Sequence, residues 1–195
     1  MDFARNKEVT EITTKRFAES PLGRAAENKI FDKPMSEYDK PLETGDGKMK
    51  NCPREGYNGH WDSARGDSKW HPDRDYIPGK VNPDSKTWGE TLDKYGIDGI
   101  NYTDGEPDFR DVSKGTVEIE EFSSARTDNF DKADIELASQ KECSPEEVAK
   151  WRKENRYTWH ECKDMKTMQK TASEVHSNIP HSGGISEAKK EDGGI

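Results

Sequence analysis

The chain has 195 residues, of which 29% are hydrophobic and 36% are charged, so its core must be small relative to its surface. It has no run of about 18 apolar residues, and no apolar stretch follows Met1, so the sequence predicts neither a membrane span nor a secretory signal peptide. Its three cysteines are widely spaced and form no CxxC pair, which argues against a cysteine zinc site and implies no disulfide framework.

The net charge of −9 argues against a simple basic nucleic-acid binder, but the acidic excess is spread unevenly along the chain. Residues 141–195 carry ten basic and ten acidic side chains, whereas residues 101–140 carry four basic and eleven acidic ones. The C-terminal part is thus not acidic on balance and is compatible with phosphate contact, while the acidic segment beside it weakens non-specific DNA binding.

The first part of the chain is predicted to be an extended lead-in or linker. Prolines and glycines interrupt residues 1–56, and only residues 10–18 have a helical pattern. Residues 57–83 are rich in Trp, Gly, Arg and Asp, which predicts ordered loops held by buried Trp61 and Trp70.

Three polar residues of this loop region were weighed as candidate site residues. His60 and His71 are interpreted as structural or surface side chains, because an isolated histidine is seldom a ligand. Arg65 is interpreted either as a phosphate contact or as a member of a structural ion pair.

Periodicity and capping signals then predict the regular elements, with three helices at residues 85–95, 129–140 and 145–155. Gly96 supplies a stop for the first helix, and Ser144-Pro145-Glu146-Glu147 is a capping box that starts the third. Period-two alternation predicts a half-buried strand at residues 116–120, and Asp104-Gly105 is a strong turn signal.

Three of the five histidines, His160, His176 and His181, fall within residues 157–184. Short strand-prone runs before and after residues 162–166 predict a β-hairpin, and a helical turn is predicted after it. A hairpin followed by a helix can fix one divalent ion, and imidazole is the commonest metal ligand. By spacing alone, surface histidines on a glycine-rich tail explain the pattern equally well.

Four short motifs in this stretch carry a family resemblance: Thr158-Trp159-His160-Glu161, Met168-Gln169, Val175-His176 and Pro180-His181-Ser182-Gly183-Gly184. They resemble the HNH/endonuclease VII superfamily, and within it the Trp-His-His type of domain found at the C-termini of bacterial polymorphic toxins. A looser similarity extends upstream, from Gly59-x-Trp61 to Pro107-Asp108-Phe109.

The resemblance implies a ββα-metal fold and phosphodiester hydrolysis, with His160, His176 and His181 as ligands of zinc, nickel, magnesium or manganese. Glu161 occupies the position of the family's general base, so it is the implied base. In a second register His160 is the base and Glu161 binds the metal. Adjacent strand residues face opposite ways, so a bend or bulge is needed for both to reach one site.

These observations together predict an α+β fold, with a nuclease toxin domain at residues 57–187 and a flexible tail at residues 188–195. The ββα-metal unit is expected at about residues 144–187, on a mixed α/β support.

The resemblance also implies a metal-dependent endonuclease that cuts DNA with little sequence preference, RNA not being excluded. The implied biology is an antagonistic bacterial toxin that is secreted or delivered into the target-cell cytoplasm and neutralised by an immunity protein. The alternative from a different class is a non-catalytic, metal-stabilised module that binds another protein through the acidic residues 101–140.

Overall fold

The structure is a computed structural model that describes residues 49–193. The helix predicted at residues 10–18 lies outside the described residues. Within the described part, no helix is long and apolar enough to cross a membrane. The predicted α+β fold is confirmed, with two antiparallel sheets and five α-helices over the described residues.

The first sheet contains four short antiparallel strands in chain order, β1 (Gly59–Trp61), β2 (Lys69–Pro72), β3 (Ile100–Thr103) and β4 (Glu106–Pro107). Helix α1 (Trp88–Tyr95) lies in the connection between β2 and β3. The predicted turn joins β3 to β4: Asp104 and Gly105 both have positive φ, at 50° and 74°, as a tight hairpin requires.

The second sheet has three antiparallel strands in the order β5-β7-β6, and helices pack around it. A 3-10 turn (Arg110–Val112) leads into it. The elements are β5 (Ser113–Glu118), α2 (Arg126–Lys141), α3 (Pro145–Glu154), β6 (Tyr157–Glu161), β7 (Thr167–Ala172), α4 (Ser173–His176) and α5 (Gly184–Asp192). The predicted hairpin is β6-β7, and the predicted helical turn after it is α4.

Capping side chains decide where two helices begin. Ser144 and Glu147 form the predicted capping box, with Pro145 at the first helical position of α3. A second box, between Thr87 and Glu90, starts α1 at Trp88, so the helix predicted from residue 85 begins three residues later than expected.

The predicted alternation on β5 is also confirmed. Val117 and Ile119 are buried, whereas Glu118 and Glu120 face solvent. The strand begins three residues earlier than predicted and ends at Glu118.

Two hydrophobic clusters lie behind the sheets, and both reach into the hairpin unit. The first contains three tryptophans of the loop and helix region, together with Val175 and Ile179 from α4 and the loop after it. The second packs α2 and α3 against the three-stranded sheet around Trp159 and Met168. Since Val175 and Ile179 are anchored in the first cluster, the upstream sheet positions the segment that carries the last two histidines.

The predicted lead-in contains residues that belong to the fold. Cys52 is buried in the first cluster, and Met49 packs against it. Arg65 holds this segment by donating to the backbone carbonyls of Met49, Cys52 and Pro53, at 3.0, 2.8 and 2.9 Å. Its guanidinium therefore has neither predicted role, because it satisfies buried backbone oxygens instead of a phosphate or a carboxylate.

The predicted flexible tail begins inside a helix. Residues up to Asp192 belong to α5, and Ala188 is buried. This helix was not predicted, because Ile185 and Ala188 are too few apolar residues to make a recognisable periodic pattern.

Candidate metal centre

The fold brings the three predicted histidines together. His160 lies near the end of β6, His176 ends α4, and His181 lies in the loop before α5. The ring centroids are 4.8 to 5.3 Å apart, and one ligand atom from each residue can be chosen so that all three lie within 4.8 Å of one another. His160 is fully buried beneath the other two, which are partly exposed.

Phe109 forms the floor of this cluster. Its side chain is fully buried, and its ring centroid lies 4.9, 5.3 and 5.4 Å from those of His160, His176 and His181. Contact with one rigid ring limits the rotamers of all three imidazoles, so their nitrogens are held close together before any ligand arrives.

Two glycines allow the last histidine to approach. A Cβ atom added to Gly183 would lie 2.6 Å from the backbone oxygen of Glu161, and one on Gly184 would lie 2.5 Å from that of Cys162. Only glycine therefore lets this loop run against the end of β6. The loop is also anchored by Tyr102, whose hydroxyl donates to the Pro180 carbonyl at 3.0 Å.

The three imidazoles are in the neutral form that binding a metal cation requires. Burial lowers the pKa of all three imidazoles, to about 3 for His176, so the rings are neutral near neutral pH. Because a carbonyl only accepts, His181 must donate from Nδ1 to the Ile179 oxygen, at 2.7 Å. Its Nε2 then carries the lone pair that a metal requires.

The nitrogen positions also fit a metal ion. His160 Nδ1 and His176 Nε2 are 3.3 Å apart. Two nitrogens bound at the usual Zn–N length of about 2.0–2.1 Å in a tetrahedral site are separated by roughly the same distance. The other nitrogen of His160, Nε2, is buried without a hydrogen-bond partner among the described residues. The three imidazoles therefore fit a divalent ion.

Glu161 lies apart from the imidazole cluster. No shift interrupts the β6-β7 register, so the bend or bulge that would turn Glu161 toward His160 is not seen. Its buried carboxylate accepts from Asn129 Nδ2 at 3.0 Å and from Arg126 Nε at 2.9 Å. Burial raises the pKa of Glu161, while Asn129 and Arg126 oppose that rise.

Three further residues of the site escaped the sequence analysis: Phe109, Glu106 and Arg126. The Glu106 carboxylate lies 3.9 Å from His160 Nε2 and accepts from the Lys163 backbone amide at 2.7 Å. At this distance the carboxylate is close enough to act on the imidazole electrostatically but does not accept a hydrogen bond from it. The only sequence signal for Glu106 was its place directly after a tight turn, which does not indicate a nearby histidine.

The remaining histidines lie outside the cluster, as predicted. His71 contacts Asp62 Oδ1 through Nε2 at 2.9 Å, and the His60 ring stacks on it with a centroid distance of 5.1 Å. Burial raises the pKa of the Cys162 thiol far above the usual range, although its sulfur lies within 4.8 Å of ligand atoms of His160 and Glu106.

An open groove of about 1090 Å³ leads to the cluster. His176 and His181 line it, together with Arg126 and with loops from the first part of the described chain. His160 does not line the groove. The two later histidines therefore form the accessible side of the imidazole cluster, and His160 lies buried beneath them.

Comparison with known proteins points to the same region. Residues 99–183 match a family model described as the DNase/tRNase domain of colicin-like bacteriocin. No curated protein matches the chain. The matched residues begin just before β3 and end after His181, so they contain the whole imidazole cluster. The match supports a nuclease toxin domain in the part of the chain that carries the candidate metal centre.

Proposed function

We propose that this chain is a metal-dependent endonuclease of the HNH type, in which His160, His176 and His181 hold a divalent ion. The observation that carries the proposal is the convergence of three neutral imidazoles at the end of an open groove, within the residues similar to colicin-like nuclease domains. When bound, the ion supplies charge stabilisation for the phosphate and for the leaving oxygen.

The residues around the ion have separate tasks in this proposal. His160 is held in place by its ring contact with Phe109, while His176 and His181 present their nitrogens to the groove. Three nitrogen ligands suit zinc or nickel, and magnesium or manganese is tolerated when water and phosphate complete the coordination.

The general base is proposed to be Glu161, with His160 as the alternative. A carboxyl whose pKa is raised by burial is better matched to proton transfer near neutral pH. Both of its oxygens already accept hydrogen bonds, from Asn129 and Arg126, and this favours an additional role in orienting Arg126. The Arg126 guanidinium is exposed in the groove beside His176, where it can bind a phosphate oxygen.

The biological setting follows from the family similarity. We propose that the chain acts on DNA with little sequence preference, as part of a secreted or delivered bacterial effector that works in the target-cell cytoplasm. A cell that produces such a nuclease needs a protein that blocks it, so a cognate immunity protein is the expected partner.

Cleavage assays with the purified chain test the proposal directly. Plasmid DNA and a structured RNA are incubated with zinc, nickel, magnesium or manganese, each with and without chelator. We expect metal-dependent nicking that chelator abolishes. If metal binds in calorimetry but neither nucleic acid is cut with any ion, the non-catalytic binding module is the better description.

A further inference from the structure

The groove beside the metal centre differs in charge from the rest of the molecule. The chain has 40 acidic and 31 basic residues, yet the described residues that line the groove include no aspartate or glutamate. They include four cations: Lys50, Arg54, Lys80 and Arg126. Such a surface attracts a polyanion in spite of the negative net charge.

Three of these cations are available for a ligand. Lys50, Arg54 and Lys80 are exposed, and none forms an ion pair with any other described residue. Arg126 differs, because it pairs with Glu161 at 2.9 Å. These three cations, which form no ion pair within the described residues, come from residues 49–80, outside the part that matches the nuclease family model.

Hydrogen bonds hold the groove segments that carry these cations against the rest of the described structure. Arg65 donates to the Met49 carbonyl before Lys50 and to the Cys52 and Pro53 carbonyls before Arg54. Asn51 reaches across to donate to Ser182 Oγ at 2.6 Å, next to His181. On the other wall, the Lys80 amide donates to Asn178 Oδ1 at 2.9 Å.

Two exposed tyrosines lie among the cations. Tyr57 is 71% exposed and Tyr76 is 41% exposed, and both line the groove. Neither ring stacks on another aromatic side chain of the described residues. A duplex hides its base faces and offers mainly phosphates to such a surface, whereas an unpaired strand offers both phosphates and bases.

We propose that this groove binds a single strand of nucleic acid, with Tyr57 and Tyr76 stacking on unpaired bases and Lys50, Arg54 and Lys80 contacting phosphates. The strand leads to His176 and His181, so the preferred substrate of the centre is an unpaired or locally opened strand. This inference rests on the proposed nuclease function, because the groove is a substrate path only if cleavage occurs at the imidazole cluster.

Fluorescence anisotropy of the full chain in chelator tests the inference, since binding is then measured without cleavage. The probes are a labelled pyrimidine single strand and a duplex of the same length. We expect the wild type to prefer the single strand. Tyr57→Ala and Tyr76→Ala should each weaken single-strand binding by roughly fivefold to a hundredfold and duplex binding by less.

Matched variants separate stacking from other causes. Tyr57→Phe keeps the ring and should bind the single strand like the wild type. Lys80→Ala removes a positive charge and leaves both tyrosine rings in place, so it should weaken the binding of both probes to a similar extent. Lys114→Ala, an exposed lysine of β5 that does not line the groove, should change neither.

The outcomes of this experiment and of the cleavage assay are independent. Unchanged single-strand binding in both tyrosine variants, or a wild-type preference for duplex, overturns the inference even if metal-dependent cleavage is found. Loss of binding in these variants supports single-strand binding by the groove even if no metal supports cleavage, but without cleavage the groove is not a substrate path. Failure of the wild type to bind either probe also overturns it and leaves a protein partner as the occupant to be tested.

Discussion

Two imidazoles form the accessible side of the candidate metal centre, so the contribution of each to metal binding can be measured separately. His176→Ala and His181→Ala each remove one ligand nitrogen at the groove. Because both rings are only partly buried, the fold should survive while metal binding is lost. Calorimetric titration with zinc or nickel measures the affinity, and circular dichroism measures the remaining fold.

His60→Ala is the matched control for these two variants. His60 is exposed and lies outside the cluster, so its replacement should leave metal affinity at the wild-type value. Wild-type affinity in both His176→Ala and His181→Ala would remove these residues from the ligand set.

The second prediction at this scale concerns the buried Glu161 carboxylate. If Glu161 is the general base, Glu161→Gln keeps the metal and loses about a hundredfold to ten-thousandfold in rate, because an amide cannot accept the proton. His160→Ala should then weaken metal binding as well as rate. Metal titration and single-turnover cleavage on both variants give the answer.

The opposite result would show that His160 is the general base and that Glu161 binds the metal. In that case His160→Ala keeps the metal and loses rate, whereas Glu161→Gln weakens the metal. Full activity in Glu161→Gln would exclude the carboxylate as the base. A thermal melt of Glu161→Gln serves as the control, because the new amide also meets the Arg126 guanidinium.

Single residues differed in how well the sequence predicted them. The residue type and neighbouring motifs of His160, His176 and His181 predict that they share one site, and their rings lie together in the structure. Phe109 and Glu106 could not be predicted, since they are more than 50 positions away from His160 and reach it only after two sheets have formed. No local pattern records a contact across that distance.

At the scale of elements, one buried polar group fixes the hairpin to both helices of the second cluster. Asp134 on α2 accepts from Arg152 Nη2 of α3 at 2.7 Å and from the Trp159 indole of β6 at 2.8 Å. Asp134→Ala leaves a buried guanidinium without its partner, which should destabilise the protein by about 3–5 kcal/mol. Urea denaturation measures the free energy of unfolding.

Lys150→Ala is the matched control on α3. Lys150 forms an exposed i,i+4 pair with Glu154, so its loss should cost less than about 0.5 kcal/mol. A cost as small as this for Asp134→Ala would show that the buried pair does not fix β6.

Elements with strong local signals were predicted well. The capping box at Ser144 and the alternation on β5 are local patterns, and the structure follows both. Helix α1 began later than predicted because Thr87 takes the N-cap position. Helix α5 was missed because it owes its place to packing of residues such as Ala188 against the rest of the chain, and not to its own periodicity.

At the scale of the whole molecule, charge summed over segments does not reveal the cations that line the groove. Residues 141–195, which carry the predicted site, are neutral on balance and so compatible with phosphate contact. The groove instead takes Lys50, Arg54 and Lys80 from residues that had been read as lead-in and loops. A binding surface collects single side chains from distant positions, so its charge is set by the fold and not by the local composition.

The salt dependence of nucleic-acid binding follows from this surface. With about four cations at the groove, the logarithm of the single-strand affinity should fall with the logarithm of salt concentration at a slope of roughly −3. The other basic side chains lie among the acidic residues that give the net charge of −9, so they should add little to the slope. Anisotropy titrations in chelator at several salt concentrations measure the slope.

Variants show whether the slope arises in the groove. Lys50→Ala removes one phosphate contact and should make the slope shallower by about 0.7, whereas Lys114→Ala on β5 should leave it unchanged. A slope near −7, as about ten phosphate contacts would produce on a single strand, cannot come from four groove cations. It would mean that nucleic acid binds another face of the molecule, and an unchanged slope in Lys50→Ala would point the same way.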